Sequence, residues 1–368
     1  MLHVTAVEYT AQILLMPQMT ALQAAGYEVR VGCAPETGGF SPSLRPFGPV
    51  AIAFPRSVRP PAMARAAARF VSVIRSMQPD LVHLHSPAVA LPARFIPRSL
   101  LPRHTRIAYT VHGFAHQWDS RSTRDRVLER VERVLAPRTD MLLFQSREDL
   151  EQAERRGYGA RHVYLGNGVQ DDWFEDVRRV RHTPLRLLFI GRLVREKGLL
   201  DLLDALELVP DVELAIAGGR LSTDRDDVEP QVRARMSSPG LAGRVELLGV
   251  LPREALRRRV HDSDVLVLPS YREGVPRSLI EGLASGLPGV ATQIRGCREL
   301  IEHGRNGFLV PAGDAAALAG ALYTMAHMSD EQYARMTRAA YAGATSTYRE
   351  SAVIDRLLTA YADLGLVP

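Results

Sequence analysis

Lysine is almost missing from this 368-residue chain: Lys197 stands alone against 45 arginines. An arginine-biased chain replaces lysine on most solvated surfaces, so the survivor marks a place where a compact ammonium serves better than a planar fork. The bland alternative is a loop lysine that is only solvated. Cysteine is as scarce. Cys33 and Cys297 lie far apart and match neither a disulfide framework nor a metal-ligand pair, which fits a reducing compartment. No run reaches the ~20 apolar residues that a membrane span needs. The N-terminus Met1-Leu-His-Val-Thr-Ala lacks the basic region and apolar core of a signal peptide. These absences exclude a disulfide scaffold and an integral membrane protein, and lead us to expect a cytoplasmic chain. Contact with the inner face of an anionic membrane, peripheral in kind, stays open.

What is present belongs to a soluble globular protein, with a hydrophobic fraction of 46% and a charged fraction of 24%. The length exceeds one usual domain and divides most naturally into two, each large enough for its own core. The net charge of +5 is uneven: residues 1–170 carry +8 and residues 171–368 carry −3. A basic half attracts phosphate-rich partners. Nucleic acid is not among the expected ones, because zinc-finger spacing, an aromatic RNA-binding signature and a lysine-rich arm are all missing from the sequence.

Short β-rich runs alternate with helical stretches, and the rhythm occurs twice. Leu2–Val7, Glu28–Gly32, Leu81–Leu84, Arg106–Val111 and Met141–Phe144 form one series. After the turn-forming Gly166-Asn-Gly-Val169, a second runs through Leu185–Ile190, Val212–Ala217, Val245–Leu248, Val265–Leu268 and Gly289–Ala291. Continuous apolar strands separated by amphipathic helices mean buried parallel sheets. The expected fold is therefore α/β: two Rossmann-like doubly wound domains facing a central cleft, residues 1–170 and 171–349, joined near 167–184. Residues 314–364 read as helices only, and a C-terminal helix at about 350–368 can join the first domain. Leu318, Leu322 and Met325 make an apolar stripe suited to packing.

In open parallel sheets, ligands sit beyond the carboxyl ends of the strands, so each strand-to-helix turn is a candidate site. At one, Gly191 permits a close turn, Arg192 offers a forked donor, and Lys197 and Gly198 open the next helix, a set that suits a diphosphate. At another, Glu273 and Glu281 lie eight residues apart in Pro269-Ser-Tyr-Arg-Glu-Gly-Val-Pro-Arg-Ser-Leu-Ile-Glu281. A helix beginning near Pro276 puts Glu281 about one turn inside and Glu273 in the loop. The two carboxylates can then grip two hydroxyl-bearing parts of one ligand, with the amides around Arg277, Ser278 and Leu279 donating to an anion between them. In the basic half, His112-Gly113 ends a strand, and His85-Ser86 ends the preceding one. His116 and Trp118 either line the same pocket or merely pack.

With these residues in order, the chain resembles the retaining GT-B glycosyltransferases of family 4. Their signature is an Arg and a Lys after the first C-terminal strand followed by an E-x7-E motif. The flanking Asp264-Val-Leu-Val-Leu-Pro-Ser270 and Glu299–Val310 fit, and the N-terminal half is similar to the capsule and exopolysaccharide branch. The resemblance implies that Arg192 and Lys197 hold the donor diphosphate, that Glu273 contacts the sugar hydroxyls and Glu281 the ribose. Donor contacts then extend through Gly191, Gly274, Val275, Pro276, Arg277, Ser278 and Leu279. His112 approaches the donor sugar near the reaction centre, so that His112, Glu273, Arg192 and Lys197 form the catalytic set.

The acceptor then meets Tyr9, Thr10, Gln12, His85, Ser86, His112, Gly113 and His116. The first turn, Glu8-Tyr-Thr-Ala-Gln12, lacks the glycine-rich loop many relatives carry, and Tyr9, Thr10 and Gln12 stand in by hydrogen bonding. The implied co-substrate is a nucleotide sugar, a UDP-sugar ahead of a GDP-sugar, with no cofactor and no metal. The implied acceptor is a lipid-linked saccharide or a soluble small molecule. A non-hydrolysing sugar-nucleotide epimerase and a non-catalytic sugar-nucleotide-binding regulator are the rival readings. Asp224-Arg-Asp226 is formally the D-x-D by which another class of glycosyltransferase holds a metal, and we expect a solvated acidic loop there. Arg65, Arg69 and Arg75 near Phe70 and Ile74, and Arg94, Arg98 and Arg103 near Phe95 and Leu100, suit either an anionic membrane or, equally, ordinary amphipathic helices packed on a sheet. No motif encodes the oligomeric state.

Overall fold

A computed structural model describes residues 1–35, 39–54, 60–118, 120–175, 179–220, 224, 226–345 and 347–368. The chain divides into two compact units: Met1–Gly166 with Ile354–Pro368, and Asn167–Val353. Unit 1 carries β1 (Leu2–Val4), β2 (Arg30–Cys33), β3 (Val50–Ala51), β4 (Leu81–His85), β5 (Arg106–Val111), β6 (Met141–Phe144) and β7 (Arg161–Tyr164). They form one parallel sheet in the order β3-β2-β1-β4-β5-β6-β7. Unit 2 carries β8 (Leu185–Ile190), β9 (Val212–Ala217), β10 (Val245–Gly249), β11 (Val265–Leu268), β12 (Gly289–Thr292) and β13 (Gly307–Val310). Their order, again parallel, is β10-β9-β8-β11-β12-β13.

Both sheets are Rossmann-like. The chain builds outward from β1 or β8 in one direction, then jumps back to place β4 or β11 on the other side. That reversal leaves a crevice beyond the strand ends, where neighbouring turns diverge. The strands are apolar because helices cover both faces: Leu185, Leu187 and Phe189 of β8 join one core, and Leu188 the core on the opposite face. Strands β3, β7 and β13 are absent from the sequence reading. β3 is two residues long, and β7 reads Arg-His-Val-Tyr, half of it polar.

The C-terminal helices are Ala315–His327, Asp330–Thr345 and Glu350–Ala362. Leu318, Leu322 and Met325 are buried in the unit 2 core, and the Asp314 carboxylate caps the first helix by accepting from Ala317 N at 2.8 Å. Tyr361 is fully buried, within unit 1. Cys33 and Cys297 are buried free thiols. Among the described residues, no helix is long and apolar enough to cross a membrane.

Three residues of the expected membrane-facing stretches are elsewhere. Phe70 and Ile74 belong to the unit 1 core, since they lie on the inward stripe of the helix Pro60–Met77. Arg94 is buried too, its guanidinium 2.5 Å from Glu132 and 4.7 Å above the Tyr109 ring. It is a core ion pair, because its helical position faces the neighbouring helix Thr123–Leu135 and not solvent.

Candidate functional site

In unit 2 the strand order reverses between β8 and β11, and the two turns at that reversal touch. Gly198 takes φ +67°, and a Cβ there would stand 2.0 Å from Pro269 O, so only glycine lets the turn after β8 lie against the turn after β11. Tyr271 N donates to Glu196 O at 2.9 Å across the same seam. This approach brings Lys197 Nζ to 2.5 Å from Glu273 Oε1, with both side chains largely buried. Ser270 Oγ donates to the same carboxylate oxygen at 2.7 Å, and Thr292 Oγ1 holds Ser270 through its carbonyl at 2.5 Å. The solitary lysine and the first glutamate of the E-x7-E pair thus form one charged unit. A desolvated ammonium without a counterion would be expensive, and Glu273 supplies the counterion and fixes the direction of the ammonium.

The helix Arg277–Ala284 begins immediately beyond, with Pro276 as its N-cap and no side chain capping its first amides. Those free N–H groups and the positive end of the helix dipole suit an anion. Asn167 Nδ2 donates to Val275 O at 2.7 Å and fixes the approach to the helix. Gly296 is indispensable on the other side: a Cβ there would fall 1.3 Å from Gly274 O. Glu281 is half-buried one turn inside the helix, where burial pushes its carboxyl up and Arg277 and Arg253 oppose the shift. Gly191, whose N–H bonds Ala217 O at 3.0 Å, opens the turn after β8.

Asp224 departs from expectation. Its carboxylate is not solvated but almost wholly buried, paired with the Arg192 guanidinium. The cation emerging from the turn draws the acid in, so Arg192 carries its own counterion. Arg225, between Asp224 and Asp226, lies outside the described residues. The contacts that Ser270, Asn167, Gly296 and Asp224 make here are not legible in the sequence, which marks Asp224 only as part of a formal D-x-D. The glycine directly after a helix-opening arginine was the one available hint, in Ile294-Arg-Gly-Cys297.

In unit 1 the reversal falls between β1 and β4. Alternation puts His83 and His85 on one face of β4, and the register opposes His3 to His83. His3 Nδ1 lies 3.1 Å from His85 Nε2, and His85 Nδ1 lies 3.1 Å from His112 Nε2. His83 bonds Tyr361 Oη at 2.5 Å and Thr110 Oγ1 at 2.7 Å. Burial lowers His3 to about 3 and His112 to about 4, and holds His83 and His85 well below the usual range. At neutral pH the column is uncharged, so His112 acts as a hydrogen-bonding group and not as a cation. His3, His83 and His85 place one nitrogen each within 4.8 Å of one another, the donor set of a metal site. Apart from His3 Nε2, every nitrogen of these three already has a hydrogen-bond partner.

Ser86 follows β4 at φ 70° and ψ 148°, a conformation otherwise left to glycine, and its hydroxyl is buried without a partner. Tyr9 is exposed and Thr10 half-buried at the start of a helix that widens to a π turn over Ala11–Leu15. Gln12 is engaged internally, donating to Ser43 Oγ at 3.2 Å and Glu8 Oε1 at 3.5 Å. Gly113 adopts φ 128° and turns the chain away after His112. His116 is buried between Phe114, stacked at 4.9 Å, and Trp118, edge-on at 4.5 Å, where this aromatic cluster forms the end of the unit 1 core.

Residues 14–168 match the family model described as glycosyl transferase 4-like domain, and residues 171–343 the one described as glycosyl transferases group 1. EpsD of Bacillus subtilis is 27% identical over 351 residues, 89% of this chain and 87% of that protein. The UDP-Gal:alpha-D-GlcNAc-diphosphoundecaprenol alpha-1,3-galactosyltransferase of Escherichia coli is 28% identical over 262 residues, 66% of this chain and 65% of that protein. Among solved structures, sucrose-phosphate synthase of Thermosynechococcus elongatus superposes with TM-score 0.78 at 19% identity, over 99% of this chain and 98% of the other. HepE of Anabaena, in complex with UDP, superposes with TM-score 0.75 at 19% identity, over 98% of each chain. At that identity the superpositions establish the GT-B fold. The two domain matches together make this chain a glycosyltransferase, built from a glycosyl transferase 4-like domain followed by a group 1 glycosyl transferase domain.

Proposed function

We propose that the protein is a retaining, metal-independent glycosyltransferase. It moves a sugar from a nucleoside diphosphate donor held by unit 2 to a hydroxyl-bearing acceptor held by unit 1. The observation that carries this reading is the Lys197–Glu273 pair at the reversal of the unit 2 sheet, beside the uncapped helix Arg277–Ala284. An ammonium has three donors, so Lys197 can keep Glu273 and still bond a phosphate oxygen. Arg192 meets the diphosphate by exchanging or sharing Asp224. Glu273 is left facing the donor sugar's hydroxyls, and Glu281 the ribose. UDP is favoured over GDP, in keeping with the UDP that HepE is described as binding.

In the reaction, the bond between the anomeric carbon and the diphosphate oxygen breaks, and negative charge collects on the leaving group. Lys197, Arg192 and the amides of Arg277, Ser278 and Leu279 stabilise that charge, as preorganised donors do in water-poor sites. These positive groups do the work a divalent ion does elsewhere. The acceptor hydroxyl attacks from the face the diphosphate leaves, and the departing phosphate oxygen takes its proton, so the configuration is retained. With a pKa of about 4, His112 is a poor base and serves as a hydrogen-bond partner to the donor sugar.

The acceptor meets Tyr9, Ser86, His112 and Gly113, and Ser86's strained backbone and partnerless hydroxyl support a binding role there. A lipid-linked saccharide is the favoured acceptor, as in the name of the Escherichia coli relative, and the enzyme then works at the inner face of a membrane. Incubation of nucleotide sugars with acceptor candidates in chelator, followed by NMR of the product, tests the reading. An axial-donor sugar delivered as the α-glycoside is expected. An inverted product, dependence on added metal, or conversion of the nucleotide sugar to its isomer without acceptor would each contradict it.

A further inference from the structure

Three imidazoles of unit 1 form a line. His112 Nε2 lies 3.1 Å from His85 Nδ1, and His85 Nε2 lies 3.1 Å from His3 Nδ1. The ring centroids are 5.4 and 5.3 Å apart, so the rings meet end to end, the arrangement in which an N–H points at a lone pair. His83 stays outside the line, because Tyr361 Oη and Thr110 Oγ1 engage both of its nitrogens. The two ends of the line, His112 Nδ1 and His3 Nε2, are buried and have no hydrogen-bond partner among the described residues.

Hydrogens can be counted along this line. Burial keeps all three rings uncharged at neutral pH, and a neutral imidazole carries one hydrogen on its two nitrogens. Each of the two links holds one hydrogen, and the third must sit at one end. With it on His112 Nδ1, His85 Nδ1 donates to His112 Nε2 and His3 Nδ1 donates to His85 Nε2. With it on His3 Nε2, both links run the other way. The choice between the two falls at the His3 end. A hydrogen on His3 Nε2 would be a buried N–H aimed at no acceptor, which proteins tolerate less than a bare lone pair. A hydrogen at the His112 end has a polar neighbour, since the Gln145 side chain acts on that imidazole.

We infer that His3 and His85 are positioning residues, which fix His112 as the tautomer with its hydrogen on Nδ1. In that form His112 Nε2 is spent as the acceptor of His85 Nδ1–H, and the ring offers a ligand one N–H and no lone pair. A sugar hydroxyl oxygen can accept from it, and the ring takes up no proton while the line is intact. His85, with both nitrogens engaged inside the line, has none left for an acceptor. The consequence for the sugar rests on the reading that His112 meets the donor, whereas the tautomer rests on unit 1 alone, so the two can fail separately.

Two-bond proton–nitrogen correlation spectra of the full-length protein carrying isotope-labelled histidine read each tautomer directly. Free neutral imidazole prefers its hydrogen on Nε2, so the expected pattern, Nδ1–H on His3, His85 and His112 together, is not the default one. His3→Leu removes the donor to His85 Nε2, and His112 should then show a mixture of both tautomers, although the His3 side chain bonds only His85. His85→Leu should give the same loss, and His85→Asn, whose amide N–H stands in for Nδ1–H, should restore the pattern at His112. Transfer from UDP-glucose should fall about tenfold in His85→Leu, the size of one lost hydrogen bond. It should recover in His85→Asn, with UDP affinity unchanged in both. A hydrogen on His85 Nε2, a doubly protonated ring in the line, or a His112 tautomer indifferent to His3→Leu and His85→Leu would overturn the inference. The inferred tautomers in a chain that transfers no sugar would count against the transferase reading alone.

Discussion

Lys197 and Glu273 satisfy each other at 2.5 Å, and this explains why the single lysine is not an arginine. A guanidinium at that position would pair with the carboxylate bidentately and leave fewer donors directed at a ligand, whereas an ammonium radiates three. The lysine was legible in the sequence by its rarity. Its partner was legible by spacing, but the bond between them was not, because it depends on Gly198 lying against Pro269. Ser86 is legible as the residue after a strand-ending histidine, but the strain of its backbone is not. Ser86→Gly relieves that strain, which typically costs ~1–3 kcal/mol, against a smaller entropic loss. Thermal denaturation should show the variant more stable by about 1 kcal/mol, while steady-state assays should show a higher KM for the acceptor and an unchanged KM for the donor. A less stable variant would show that the φ of 70° is not a strained one.

Elements matter here through the places where they approach too closely for a side chain. The loop Gly274–Pro276 is pinned from one side by Asn167, which binds Val275 O, and from the other by Gly296. With its Cβ directed at Gly274 O, Gly296→Ala must push the loop and the helix start away from the diphosphate position. Isothermal calorimetry should show UDP affinity lowered at least about tenfold, with a stability loss of roughly 1–3 kcal/mol as in other overpacked sites. The helix pair in unit 1 is held differently, by Arg94 and Glu132 in a buried pair. Glu132→Ala leaves the guanidinium buried and uncompensated, and denaturant titration should show a loss of ~3–5 kcal/mol. The same pair marks a limit of sequence reading: Arg94 sits among other arginines on an apparently amphipathic stretch, and only the opposing helix shows that it points inward. Phe70 and Ile74 fit the other reading of their stretch, an ordinary amphipathic helix with its apolar side in the core. Helical spacing gives relative faces, but not which face meets the core.

At the scale of the molecule, each unit repeats one plan, a parallel sheet whose order reverses beside its first strand. That plan was legible, because buried parallel strands are long apolar runs and the rhythm restarts after residue 169. The short or half-polar strands β3, β7 and β13 were not, since their pairing is imposed by neighbours. The histidine column of unit 1 was equally invisible. It needs β1 and β4 in register and the last helix returning to supply Tyr361.

The column also sets how the whole chain responds to acid. Its imidazoles take protons in the unfolded chain from about pH 6.5 downward, and in the folded unit His112 does so only near pH 4. Stability is therefore complete above pH 6.5 and falls as the pH drops toward 4, with His112 alone responsible for about 3 kcal/mol. Denaturant unfolding across that window should show the decline, and His83→Phe or His85→Phe should flatten it. A stability independent of pH there would mean the column is charged in the folded state.

The central claim is that the turns after β8 and β11 hold a nucleoside diphosphate through Lys197. Calorimetric titration of the parent chain and of Lys197→Ala with UDP, both in excess chelator, tests it most directly. The account predicts saturable binding by the parent and a loss of ~3–4 kcal/mol, at least a hundredfold in affinity, in the variant, which stays folded by circular dichroism although its melting temperature falls because Glu273 is left buried without its cation. Equal affinity of the two proteins for UDP, or no binding by the parent without metal, would contradict it.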